Sequence, residues 1–277
     1  VGFLVLFFLF QQVRSEVAKK KRIAIFAIGG GLLLLALLAF WFSQSRSVFV
    51  GVAVAALWII SWLGFAATKQ WIRRSAIVVL FLMVLGAGFI AFAQNSSTLG
   101  SIAERVGITR FTDFSFTSVT NANRLFAWSV AIDAWRDRPL FGWGPFNYAY
   151  AFNEKFRATQ LIENHGFGET WFDNAHNSYL DTLATQGIFG LLAYLFLFVA
   201  SLFVLIRLWW QRQLSLIPML LLSGVLIAHA GANVFSFEQS TSYLALFSVL
   251  AFVRASDQKV TPVHRGARYS SAVHYII

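Results

Sequence analysis

The sequence predicts an all-α fold: a polytopic helical membrane protein with a mostly helical cap on one side of the bilayer. Three observations predict it. Of the 277 residues, 58% are hydrophobic and 12% charged, whereas a soluble domain carries about 45–50% and about 25%. Apolar runs near the length needed to cross a hydrocarbon core of about 30 Å recur along the chain. Basic residues concentrate in alternate connecting segments. With a mean hydropathy of +0.65, this excludes a soluble globular enzyme and a disordered chain. Cysteine is absent, which excludes disulfides, thiolate metal sites and cysteine nucleophiles. The 30 Phe and 10 Trp fit lipid-facing and interfacial aromatics.

The apolar runs cover 1–10, 23–43, 48–67, 75–93, 178–206, 214–235 and 239–253, which makes about six full transmembrane helices and a partial one. The first run is too short to cross. Its basic residues follow it, so it reads as the end of a helix and not as a signal peptide. The chain is therefore expected to be the C-terminal portion of a longer protein. The run at 178–206 is long enough to tilt or to project beyond the bilayer. Four regions follow: N-terminal transmembrane helices (1–93), a loop or cap (94–177), C-terminal transmembrane helices (178–253) and a tail (254–277).

Charge orients the spans. One set of alternate segments holds Arg14, Lys19, Lys20, Lys21, Arg22, Lys69, Arg73, Arg74, Arg207, Arg212, Arg254, Lys259, Arg265 and Arg268, against the acids Glu16 and Asp257. The other set holds 8 basic and 10 acidic residues. By the positive-inside rule the first set is cytoplasmic. The net charge of +10 thus reports topology, and no nucleic-acid partner is expected. The long loop 94–177 faces outward, and the tail from 254 is cytoplasmic. No GxxxxGK[ST], HExxH or GxSxG motif occurs, so cytosolic ATP chemistry and zinc proteolysis are not indicated.

The outer loop carries most of the outward charge and is dense in aromatics, so a folded cap is expected there. Within it, 123–135 reads as a helix capped by Asn123 and ended by Pro139, with Leu125, Trp128, Ile132 and Trp135 on one face. Such a helix can simply lie at the interface. Arg124 would then sit in the first turn, where free N–H groups and the helix dipole favour an anion. Next, Arg138-Pro139-Leu140-Phe141-Gly142-Trp143-Gly144-Pro145 predicts a tight turn. As a plain packed corner it is weak evidence for phosphate binding.

Asp173-Asn174-Ala175-His176-Asn177-Ser178 precedes the long apolar run. Ser178 with Asp181 resembles a capping box, and Asn177 is the alternative cap. His176 therefore lies at the mouth of a membrane helix, where an ordinary imidazole pKa near 6.5 suits a base. Arg46, in the turn Ser43–Ser47, is the one basic residue of the short outer loops. It can snorkel to the interface or serve a site. His229, Asn233 and Glu238 near the outer ends of the last spans either line the same cavity or tie helices together, the second reading being preferred.

Together these residues resemble a known family. Ser45-Arg46 between two spans, Asn123-Arg124 with Trp128, Pro139-Leu140-Phe141-Gly142-Trp143-Gly144, and His176-Asn177-Ser178-Tyr179-Leu180 followed by Gly187-Ile188-Phe189-Gly190 are similar to the O-antigen ligase and O-antigen polymerase superfamily. The matched stretch runs from about 40 to 205. The resemblance implies bacterial inner-membrane glycosyltransferases of the C type of architecture. They move a glycan from a polyprenyl pyrophosphate carrier to an acceptor hydroxyl at the periplasmic face. The acceptor is a lipid A core, a growing polysaccharide or a glycoprotein, and no metal or other cofactor is implied. The family's essential arginines fall on Arg46 and Arg124 and its histidine on His176. Ser47 departs from the pattern, since glycine is common there in the family.

The chemistry of these residues agrees. Permanent guanidinium charge can bind a pyrophosphate leaving group without a divalent cation. An imidazole can take the proton of the attacking hydroxyl. With no nucleophilic carboxylate evident beside His176, single displacement with inversion is expected. Asp173 could orient the imidazole. Trp143, Tyr148 and Trp171 could stack on sugars, with Trp128 and Asn177 as further substrate contacts, and apolar grooves would hold the carrier tail. Two other classes compete. A transporter should show polar residues at the midplane and broken helices. Here 23–43 and 48–67 are nearly free of charge, with Gly29-Gly30-Gly31 as the one candidate break. An envelope scaffold would tolerate single substitutions at the site.

Overall fold

A computed structural model of the chain describes residues 45–93, 119–156 and 171–257, together with 27–31, 34, 35, 38, 39 and 42. Among the described residues there is no strand. The helices among the described residues that carry the fold run in the order α1 (Arg46–Ala66), α2 (Gln70–Ala93), α3 (Val119–Asp137), α4 (Tyr148–Lys155), α5 (Ser178–Trp210), α6 (Leu216–Ala232) and α7 (Ser240–Asp257). The predicted runs at 48–67, 75–93, 178–206, 214–235 and 239–253 thus each become a helix. Most of the run at 23–43 and all of 1–10 lie outside the described residues, although Gly29, Gly30 and Gly31 are helical. Ser47–Ala66 and Ser178–Trp210 are long and apolar enough to cross a membrane, and Leu216–Ala232 and Ser240–Arg254 are shorter apolar helices.

Small residues set how the bundle packs. A Cβ on Gly51 of α1 would meet the Ala228 carbonyl oxygen of α6 at 2.3 Å, so the two backbones touch there. Further along, Ile59 fills the space beside Gly224, and the Trp58 indole donates to Ser223 Oγ at 2.9 Å. Rising residue numbers on α1 therefore pair with falling numbers on α6, and the helices are antiparallel. The start of α1 stands at the same end as the close of α6. Tyr194, Phe198, Leu205, Met219, Leu226 and Val249 fill the core among α5, α6 and α7.

The cap has its own core. Phe126, Ala127, Val130, Ala131 and Ala134 of α3 pack with Tyr148 and Phe152 of α4 and with Phe172. This corrects two expectations about α3. The helix starts at Val119, so Asn123 lies inside it and is no cap, and Arg124 belongs to the second turn. Asn costs well under 1 kcal/mol inside a helix, too little to start one against its neighbours. The buried stripe is also offset from the predicted one: Leu125 is 40% exposed, while the alanines allow α4 and α5 to approach closely. The helix does end before Pro139, whose carbonyl accepts from the Trp135 indole.

The cap docks onto α5 through a break in that helix. Gly187 has φ 69° and ψ −167°, a conformation only glycine adopts readily. An unbroken helix would bond Ile188 N–H to the Ala184 carbonyl and Phe189 N–H to the Thr185 carbonyl. Instead the loop 139–144 takes all four groups. Ile188 and Phe189 donate to the Pro139 and Leu140 carbonyls at 2.9 and 3.4 Å. Trp143 and Gly144 donate to the Ala184 and Thr185 carbonyls at 3.0 and 2.7 Å. Contact is so close that a Cβ on Gly142 would lie 2.4 Å from the Thr185 backbone, and one on Gly187 2.3 Å from that of Leu140. The Gly142–Gly144 turn and the Gly187–Gly190 stretch are therefore two halves of one joint.

Candidate functional site

The site grows from the start of α5. Asn177 is its cap: its side-chain oxygen accepts from the Tyr179 and Leu180 N–H groups at 3.0 and 3.1 Å. The capping box expected from Ser178 and Asp181 does not form, because both side chains are drawn elsewhere. Ser178 Oγ donates to the Ser236 carbonyl, and Asp181 Oδ1 accepts from Ala175 N–H at 3.0 Å. Asn177 is thus a buried structural cap, with its oxygen committed to the helix.

His176, just before the cap, has a left-handed backbone with φ 48°. Its N–H donates to Asn174 Oδ1 at 3.1 Å, and the Asn174 amide donates to Asp173 Oδ1 at 2.6 Å. Asp173 therefore reaches the main chain of His176 by way of Asn174. The imidazole is held between two aromatic edges, Phe172 at 5.7 Å and Phe237 at 5.4 Å between ring centroids. Phe172 belongs to the cap core, and Phe237 to the connection between α6 and α7.

The same connection reaches α3. The Phe235 ring lies 5.9 Å from that of Trp128, and Trp128 is one turn along α3 from Arg124, which is half-buried. Segment 235–237 thus touches both the histidine and the helix that bears the arginine. Arg46 is the first residue of α1, at the end of the bundle where α6 closes and this connection begins. Ser47 beside it is buried and shares a hydrogen bond of 2.9 Å with Ser45.

The remaining predicted contacts divide. Tyr148 is 1% exposed, with its hydroxyl donated to the Ala127 carbonyl at 2.6 Å, so its ring builds the cap core and offers no face to a sugar. Burial first, and the nearby Asp181 carboxylate second, push its hydroxyl well above the ordinary tyrosine range. Trp143 donates to the Ala134 carbonyl, and Arg138 covers its ring at 4.0 Å. Trp171 differs: it is 53% exposed while its indole donates to Asn153.

Glu238 closes the connection. Its Oε1 accepts from His229 Nε2 at 2.8 Å, Asn233 Nδ2 at 2.7 Å and the Tyr194 hydroxyl at 2.7 Å, and its Oε2 accepts from Ser242 at 2.6 Å. Burial alone would raise the carboxyl. The hydrogen bonds from His229, Ser242 and Tyr194 outweigh it and hold the group down at about 2. The expectation that His229, Asn233 and Glu238 tie helices together matches this arrangement, which joins α5, α6 and α7. Sequence reasoning did not single out Phe172, Phe235 or Phe237. The alternation of phenylalanines between Asn233 and Glu238 was the available signal.

A family model described as O-antigen ligase matches residues 31–195, well over half the chain and including Arg46, Arg124 and His176. The chain belongs to the O-antigen ligase family. No curated protein matches it. Members of the O-antigen ligase family are inner-membrane proteins with an enzymatic role in glycan transfer, as ligases or polymerases. The O-antigen ligase match ends at residue 195, within α5, so Glu238 and its partners His229, Asn233 and Ser242 lie beyond it, while Tyr194 lies just inside.

Proposed function

We propose that the protein transfers a glycan from a polyprenyl pyrophosphate carrier to an acceptor hydroxyl at the periplasmic face, as an O-antigen ligase. The observation that carries this reading is the segment 235–237, which packs on His176 through Phe237 and on the Arg124-bearing helix through Phe235 and Trp128. A base and a cation on separate elements thereby share one support. His176 takes the proton of the acceptor hydroxyl as its oxygen attacks the anomeric carbon. The bond from that carbon to the carrier oxygen breaks on the opposite face, and configuration inverts. The carrier pyrophosphate leaves with its charge met by Arg46 and Arg124. Two fixed cations make the reaction independent of a divalent metal. Exposed rings such as Trp171 receive sugar.

The membrane setting has its own support. Phe196, Val199 and Phe203 of α5 are each more than 60% exposed, an apolar surface suited to lipid. We place the 94–177 region in the periplasm and the tail in the cytoplasm, on about six full spans and a partial one in an arrangement like that of C-type glycosyltransferases. The test supplies polyprenyl-pyrophosphate-linked glycan and lipid A core to membranes bearing the protein, with chelator present. Wild type is expected to join glycan to core, and His176→Ala to join none while still reaching the membrane. Transfer at the normal rate by His176→Ala would overturn the role of the base. Elongated carrier-linked glycan without joined core would assign a polymerase instead. Arg124→Lys is expected to lower the transfer rate at least tenfold, because lysine keeps the charge but loses the planar fork.

A further inference from the structure

We infer that Glu238 is a positioning residue for the transfer reaction: the carboxylate that ties α5, α6 and α7 together sets where His176 stands. This rests on the proposed role of His176, and Glu238 and the connection 233–238 lie beyond the family match. Three links lead from the carboxylate to the imidazole. Glu238 gathers His229, Asn233, Tyr194 and Ser242, so both ends of the connection 233–238 are held. The connection is then stapled to the start of α5. The Asn233 carbonyl accepts from Ser178 N–H at 2.9 Å, and the Ser236 carbonyl from Ser178 Oγ at 3.1 Å. Between staple and carboxylate stands Phe237, one of the two edges that hold the His176 ring. The other edge, Phe172, is fixed in the cap core, so the wall that can shift is the one Glu238 controls.

A buried carboxylate with four donors is an expensive feature for helix packing alone, since apolar residues of like volume do that work as well. Its arrangement here holds one wall of the site through four hydrogen bonds. Misplacing a reacting group by about 1 Å can cost about a hundredfold in rate. Glu238→Gln keeps the size of the side chain, loses the charge and weakens the pairing with His229. It is expected to lower kcat between about tenfold and a hundredfold with donor KM nearly unchanged. Phe237→Leu, which removes the wall directly, is expected to do the same. Because both act through one contact, the double variant should fall no further than the worse single variant.

The decisive experiment does not depend on glycan transfer. His176 is carbethoxylated with diethyl pyrocarbonate in the full chain in membranes, and its modification is followed by mass spectrometry. Glu238→Gln and Phe237→Leu should each speed modification of His176 severalfold. Unchanged modification in both variants, a defect in KM alone, or multiplicative losses in the double variant would overturn the inference. If Glu238→Gln does not fold, Phe237→Leu carries the labelling test by itself. Transfer by the wild type reports separately on the proposed function.

Discussion

His176 holds a backbone conformation that costs a side-chain-bearing residue about 1–2 kcal/mol. The Asn174 side chain helps hold it by accepting the His176 N–H. This separates the backbone from the chemistry. Asparagine visits the left-handed region readily, so His176→Asn should keep the thermal midpoint of the wild type and lose transfer. His176→Val should lose transfer and also stability, read by thermal unfolding in detergent, because a β-branched residue fits the left-handed region worse than histidine does. An Asn variant that unfolds as early as the Val variant would remove the backbone argument. The sequence places His176 at the mouth of a helix because polar residues precede a long apolar run. It does not reveal the positive φ, which histidine adopts only when neighbours impose it. Tyr148 illustrates the converse. As a residue type it suits a sugar, and only packing shows its ring to be enclosed.

At the scale of elements, hydrophobic run length locates α1, α2, α5, α6 and α7 to within a few residues, since length and apolarity together dictate a helix in lipid. Run length says nothing of the break in α5. That break depends on four backbone hydrogen bonds from a loop more than 40 residues earlier in the chain. Two glycine-rich stretches are visible in the sequence, but not that they meet. The joint makes a strong prediction. Gly187→Ala places a Cβ against the Leu140 backbone and forces alanine into a region reserved for glycine. It should cost about 3 kcal/mol or more and make the cap protease-sensitive. Gly190→Ala would also be crowded, by the Gln186 Cβ, but it forces no alanine into a glycine-only backbone region and should cost less. Limited proteolysis of the two variants side by side checks the ranking.

For the whole molecule, Glu238 links three helices to the site and makes its integrity depend on pH. The carboxyl titrates at about 2 in the folded protein against an ordinary 4.5. A depressed folded value means that the unfolded chain binds the proton first. The stabilisation is complete above about 4.5 and is lost as pH falls towards 2. The thermal midpoint should drop across that window, and Glu238→Gln should flatten its contribution. An equal drop in the variant would assign the effect to other groups. The joint at Gly187 also bears on the order in which the molecule is assembled. Residues 139–144 leave the ribosome before the groups they bond to exist. Until residues 184–189 follow, the Pro139 and Leu140 carbonyls and the Trp143 and Gly144 N–H groups have only water or transient partners. The cap is finished after the first third of α5 has been made, so a nascent chain halted short of that point should carry an open cap, however long it waits.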